Sequence, residues 1–297
     1  MENNKGQWSS NFGFLMAAIG SAVGLGNIWG FPYKMGANGG GAFLLVYVIL
    51  VVFVGFAVML GELTIGRKTG KGAVGAYRAL NKKLPWVGYM GVGSAFLILG
   101  FYSVLGGMVM RYMLGFLVNM FGGAGFAAEG FFGSWIANMP GMVGFYALFM
   151  LLNIVIVMGG ISGGIEKFSK VAMPALAVML VTVIVYVACQ PGAMEGYKFM
   201  FVPDFSVFDS LKSFFDVLKS AAGQMFFSLS LGMGAMITYG SYLSKSEDLN
   251  TNTIIIPVAD TIVLVLRSSL LAWTTVRAPA CSSIPSRRYS WTAWAAS

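Results

Sequence analysis

Apolar residues gather in runs of about twenty, parted by short polar stretches, and a run of that length crosses a hydrocarbon core of ~30 Å as a helix. The pattern predicts spans at 12–36, 41–66, 86–120, 141–159, 165–189, 211–243 and 253–272. Two of them are interrupted where a spanning helix ought to be continuous. Residues 20–41 hold eight glycines, and Pro32 lies among them. Glycine weakens a helix interior by about 1 kcal/mol and proline by about 3 kcal/mol, so the first span is predicted to break part-way across. The sixth repeats the anomaly, with Ser228, Ser230, Gly232 and Gly234 at its middle.

Backbone freed at membrane depth is tolerated only where it is buried in protein or lines a cavity. Both breaks are therefore candidate binding sites. They stand five spans apart, the spacing expected if two five-helix halves repeat with inverted topology.

Composition supports the spans. Of 297 residues, 57% are hydrophobic and 10% charged, the balance of a membrane protein. The net charge of +8 does not read as a nucleic-acid face. Arg67, Lys68, Lys71, Arg78, Lys82 and Lys83 crowd between the second and third runs, the mark of a cytoplasmic loop. Lys167, Lys170 and Lys245 fall in the next even loops, whereas Glu129, Glu195, Asp204 and Asp209 fall in the odd ones with Lys198. The N-terminus is thus expected inside, and the protein in a bacterial plasma membrane. Residues 1–5 lack the basic start of a secretory signal, so the first run is kept as a helix.

Composition also narrows the chemistry. There is no histidine, and Cys189 and Cys281 form no spaced pair, so neither a disulfide framework nor a metal-binding motif is indicated. No nucleophile–base set points to an enzyme. The last 31 residues differ from the rest: they hold four of seven arginines, three of seven tryptophans, and no Lys, Asp or Glu. One reading is a natural basic tail. The preferred one is translation out of frame, since permitted codons for 281–295, read one base earlier, yield a membrane-like sequence. The expected division is 1–266 as a transmembrane part and 267–297 as an aberrant tail.

The chain resembles a bacterial member of the neurotransmitter:sodium symporter family. The resemblance rests on Trp8-Ser-Ser, Gly20 to Pro32, Asn38 to Phe43, Gly61 to Arg67, Phe101-Tyr-Ser-Val104, Gly163 to Lys167 and Gln224 to Tyr239. It implies an all-α membrane protein with a LeuT-like fold and broken helices 1 and 6. Only the first six helices and a partial seventh, of eleven or twelve, are present on this reading.

Sodium, a hard cation, prefers oxygen ligands, which carbonyls, hydroxyls and amides supply without a costly net charge. By resemblance one sodium site takes the carbonyl of Ala22, the side chains of Asn27 and Ser228, and Asp260, which stands where many relatives have Asn. A second takes carbonyls of Gly20 and Val23, with partners on an absent eighth helix. Leu25 and Gly26 would hold a substrate carboxylate at a helix terminus, with the Tyr102 hydroxyl beside it. Carbonyls of Ala22, Phe227 and Ser228, with Ser230, would take the ammonium. Ile98, Phe227 and Met233 would face the substrate side chain, and a deformable Met suits a large apolar or aromatic amino acid.

The resemblance also assigns Lys5, Trp8 and Tyr242 to cytoplasmic closure. Gly30 departs from it, because relatives carry an arginine of the outer gate there. Chloride-dependent relatives bind the anion near positions matching Tyr47, Gln224 and Ser228; a fixed carboxylate at Asp260 would replace it. Glu62 is expected to bond backbone freed at the sixth-helix break. Gly164 and Pro174 bracket nine residues of the fifth helix whose inner end could unwind.

Other features have plainer readings. Gly106-Gly107 and Gly159-Gly160 are expected to be packing surfaces, and Asp204 and Asp209 to lie in a solvated outer loop. The expected function is sodium-coupled amino-acid symport by alternating access, independent of chloride, with sodium as the transported ion and no organic cofactor. Its partners are the amino acid, sodium and the lipid bilayer, without nucleic acid. The alternative is a non-transporting truncated fragment of such a symporter.

Overall fold

The structure, a computed structural model, describes residues 6–24, 26–122, 131–189 and 193–277. Among the described residues it is all helix, apart from one isolated bridge between Gly40 and Pro203. The helices are α1 (Asn11–Ala22), α2 (Gly26–Ala37), α3 (Gly41–Thr69), α4 (Ala73–Leu80), α5 (Pro85–Met120) and α6 (Phe131–Ala137). Then come α7 (Met139–Met158), α8 (Ile161–Ala188), α9 (Ala193–Phe201), α10 (Leu211–Ser228), α11 (Ala235–Gly240) and α12 (Leu249–Arg277).

Among the described residues five helices are long and apolar enough to cross a membrane: α3, α5, α7, α8 and, over Leu249–Ser268, α12; α1 and α2, taken as one bent span, make a broken sixth. Both expected breaks are present. Helix stops at Ala22 and resumes at Gly26 in a wide π-type turn, Gly26–Gly30. It stops again at Ser228 and resumes at Ala235, with Ser230, Gly232 and Gly234 at positive φ between them. Neither α10 nor α11 alone reads as a span, because α10 carries Lys212, Asp216 and Lys219 and α11 has six residues. Further π-type turns lie at Val51–Gly55 and Ile161–Ile165; such turns often mark functional places in a helix.

Short helices are the main addition to the sequence reading. The basic stretch 67–85 contains α4, whose Ala73 and Ala76 are buried against Ile237. The acidic stretches 121–140 and 190–210 contain α6 and α9. Helices of seven to nine residues are too short to register as spans, so charge alone marked them as loops. Helix α12 runs past residue 266 to Arg277, and Cys281 lies outside the described residues. Asp248 caps its start: the Thr251 hydroxyl and the Asn250 N–H hold the carboxyl below the usual range.

The chain passes repeatedly between two units. One comprises the described residues up to Ala22, with Gly55–Pro174 and Leu229–Ile256; the other comprises Val23–Val54, Ala175–Ser228 and the described residues from Pro257.

In the first unit, glycines bring backbones into contact. A Cβ at Gly66 would lie 2.0 Å from the Ile237 carbonyl oxygen, and one at Gly240 would lie 2.6 Å from that of Leu63. These two positions join α3 to α11. Gly106 and Gly107 press on Phe149 and on the Phe145–Tyr146 backbone, the packing role expected of them. The Arg111 guanidinium lies 5.1, 5.7 and 5.9 Å from the ring centroids of Phe131, Trp135 and Phe145, holding α6 by cation–π contact. Outward residues such as Phe96, Leu97 and Met158 are at least 73% exposed, a surface suited to hydrocarbon rather than water.

In the second unit, Phe31 packs on Phe43 and Tyr47 with centroids 5.4 and 5.0 Å apart. Gly40, at φ 56°, leaves no room for a side chain, since its Cβ would sit 2.4 Å from the Phe199 carbonyl oxygen.

Candidate functional site

The second unit gathers a carboxylate and its donors from four elements. Asp260, on α12, is wholly buried. The amide Nδ2 of Asn27, in the π-type turn, donates to its Oδ1. The Ser228 hydroxyl, at the end of α10, lies 3.1 and 2.9 Å from the two carboxylate oxygens. Tyr47 of α3 donates to Oδ2 at 3.2 Å. Asn27 Oδ1 in turn lies 3.2 Å from Ser228 Oγ and accepts from the Gly24 N–H at 3.3 Å.

Among the described residues no lysine or arginine reaches ion-pair distance of Asp260. A buried carboxylate without a cationic partner is costly, and neutral hydroxyl and amide donors offset only part of that. The oxygens of Asp260, Asn27 and Ser228 form the kind of set that a hard monovalent cation prefers. No group of three His, Cys, Asp or Glu residues occurs among the described residues, so nothing there resembles a transition-metal site.

The same unit positions Gly26. Gln224 Nε2 donates to its carbonyl at 3.1 Å. A Cβ on Gly26 would meet the Phe227 ring at 2.9 Å, so glycine lets the turn lie against that ring. Val23 is buried in the break, and Leu25 lies outside the described residues. Arg267 Nε donates to the Ile28 carbonyl at 3.2 Å, a contact the sequence did not suggest.

Gly20, Ala22, Ile98, Tyr102, Ser230 and Met233 belong to the first unit. There Ser230 Oγ donates to the Ser21 carbonyl at 2.9 Å, and Ser21 Oγ lies 3.3 Å from it, linking the two breaks. Glu62 accepts the Gly232 N–H at 2.7 Å, satisfying freed backbone as expected. Gly91 of α5 lies against residues 232–234, with its Cβ direction 3.1 Å from the Gly232 carbonyl oxygen. Ile98 and Tyr102 are half-buried one turn apart on that helix. Gly20 sits against the Met173 sulfur, 3.1 Å from its Cβ direction.

Ser230 holds φ 54°, a left-handed conformation that costs a non-glycine residue about 1–2 kcal/mol. Ser230→Ala keeps that strain and loses the hydroxyl, whereas Ser230→Gly relieves it. The alanine variant should unfold first, by about 1–2 kcal/mol relative to the glycine variant. Thermal unfolding in detergent checks the order; equal midpoints would show that the strain is not felt.

At the chain's start, the Trp8 N–H donates to the Tyr242 carbonyl at 3.4 Å, and Trp8 Nε1 donates to the Tyr239 carbonyl at 3.1 Å. Trp8 also packs edge-on against Phe14 and Tyr239. Lys5 lies outside the described residues. Gly164 presses on the Ile156 carbonyl, and Pro174 lies inside α8. Glu166, which the sequence offered only within a motif, is wholly buried against Ser9 and Ser10.

Comparison with known proteins shows what the chain is similar to. The model of the sodium:neurotransmitter symporter family matches residues 5–122 and 136–274. An uncharacterized sodium-dependent transporter of Bacillus subtilis, YhdH, is 38% identical over 263 residues, covering 88% of this chain and 57% of the relative. The inactive sodium-dependent neutral amino acid transporter B(0)AT3 of Homo sapiens is 32% identical, covering 86% of this chain and 44% of its own length. Among solved structures, MhsT in complex with L-phenylalanine aligns with a TM-score of 0.83 and 41% identity, over 92% of this chain and 62% of that one. The chain therefore spans between 44% and 62% of these relatives' lengths.

Proposed function

As this chain belongs to the sodium:neurotransmitter symporter family, a family of transporters rather than enzymes, we propose that it serves sodium-coupled symport of a large apolar or aromatic amino acid. The setting is a plasma membrane, with the N-terminus cytoplasmic and alternating access as the mechanism. The observation that carries this reading is Asp260: a buried carboxylate held by Asn27, Ser228 and Tyr47 without a cationic side chain among the described residues. A sodium ion would supply the missing charge.

The proposed sodium ligands are the carbonyls of Gly20, Ala22 and Val23, with Asn27, Ser228 and Asp260. The proposed amino-acid site comprises Ala22, Leu25, Gly26, Ile98, Tyr102, Phe227, Ser228, Ser230 and Met233. Lys5, Trp8 and Tyr242 would close the cytoplasmic side. The L-phenylalanine complex of the similar protein MhsT supports an aromatic substrate. The bonds from Tyr47 and Ser228 to the Asp260 carboxylate support a fixed negative charge in place of a bound anion, so transport should not need chloride. Sodium favours the outward-facing state and substrate permits closure, a population shift set by differential affinity.

The alternative is a chain that does not transport on its own. Radiolabelled phenylalanine uptake into vesicles bearing an inward sodium gradient separates the two. Uptake that survives replacement of chloride by gluconate is expected for the first reading; none with either anion would support the second. DNA sequencing across residues 267–297 tests the out-of-frame tail, which fails if no single-base shift opens an apolar frame.

A further inference from the structure

The inner end of α1 is built around a side chain of another helix. Glu166 opens the regular part of α8, directly after the turn Ile161–Ile165, and is wholly buried. Its carboxylate accepts the Ser9 N–H at 2.8 Å, the Ser9 hydroxyl, the Ser10 hydroxyl at 3.2 Å, and the Lys170 ammonium at 2.6 Å. Ser10 is also the cap of α1, accepting the Gly13 N–H at 3.1 Å. A Cβ at Gly13 would fall 2.0 Å from Glu166 Oε1, so only glycine lets the carboxylate lie on the first turn of α1. A carboxylate there also faces the positive end of that helix's dipole.

From this geometry we infer that Glu166 is a positioning residue of the inner gate. It latches the segment Trp8–Ser9–Ser10 to α8 and thereby holds α1 closed on the cytoplasmic side. Lys170 supports the latch, balancing the buried charge and reaching Ser9 Oγ at 3.3 Å. Trp8 is seated two residues from the cap, with its N–H on Tyr242, so releasing Ser9 and Ser10 frees it too. Opening inward then requires the Ser9 and Ser10 donors to leave a carboxylate that keeps its lysine. The charge is thus never stranded, and the latch can close again. The consequence for gating rests on the symport reading above; the latch itself does not.

Hydrogen–deuterium exchange of the full chain in nanodiscs, without sodium or amino acid, tests the latch whether or not the chain transports. In Glu166→Gln, exchange over residues 9–16 should rise about tenfold, the factor that loss of one charge-assisted hydrogen bond carries. Exchange in α7, in the same unit, should be unchanged. Lys170→Met should raise it less, because the serine donors remain. Ser10→Ala should raise exchange less in Glu166→Gln than in the parent chain, since the bond to Glu166 is shared and only the cap on the Gly13 N–H remains to be lost. The latch is overturned if residues 9–16 exchange as in the parent chain. It is equally overturned if α7 accelerates alongside them, if Lys170→Met matches Glu166→Gln, or if the serine and glutamate effects add.

Discussion

Asp260→Asn should weaken sodium binding in chloride-free buffer by about a hundredfold or more. Breaking a buried ion pair costs about 3–5 kcal/mol, and here the pair is the Asp260 carboxylate with the proposed sodium. The amide keeps the shape and can still face Asn27, Ser228 and Tyr47. What it removes is the charge, so the loss reports electrostatics rather than packing.

Two signs distinguish this from general damage. Without sodium, the variant should be at least as heat-stable as the parent, because a buried carboxylate lacking a cation has been neutralised. Adding sodium should raise the parent's melting temperature, since a ligand that binds only the folded state stabilises it by mass action. The variant should respond only at far higher sodium, and more readily with chloride present. A sodium response unchanged in Asp260→Asn would remove Asp260 from the ion site.

Gly66→Ala is expected to be among the most damaging single methyl groups, costing about 3 kcal/mol. Overpacking typically costs about 1–3 kcal/mol, and here the obstacle is backbone: the new Cβ would sit 2.0 Å from the Ile237 carbonyl oxygen. A flexible side chain could move aside, but α3 and α11 would have to separate. Gly61→Ala, five residues earlier on the same helix with nothing within 4 Å of its Cβ, should be neutral or slightly stabilising, given alanine's better helix propensity. The contrast in thermal unfolding between the two variants makes the test. Equal stability would mean that the α3–α11 approach is looser than described.

How far the chain could be read in advance varied with the physics of each feature. The long spans were legible within a few residues, because their length is dictated by the hydrocarbon thickness and their ends by charge. The breaks were legible for a similar reason: glycine, proline and serine weaken a helix locally, wherever the rest of the protein lies. The resemblance to the symporter family rested on those motifs, and the family comparison bears it out. Helices α4, α6 and α9 escaped notice because a short amphipathic helix leaves no span-length signal, and α4 draws its stability from Ala73 and Ala76 against Ile237.

Partnerships between distant residues are a different matter. Periodicity says which face of a helix is apolar, not which atom meets which across 233 residues, as Asn27 and Asp260 do. Nothing in Gly163 to Lys167 indicates that Glu166 serves Ser9 and Ser10, since that depends on α8 passing the first turn of α1 where Gly13 has no side chain. The positive φ of Ser230 is likewise imposed by its neighbours, against the residue's own preference. Sequence by itself determined the membrane setting, the spans, the two breaks and the family, since each follows from local composition and chain length. Tertiary structure alone decided that the carboxylates of Asp260 and Glu166 are buried and which donors surround them, because burial and hydrogen bonding depend on segments far apart in the chain being folded together.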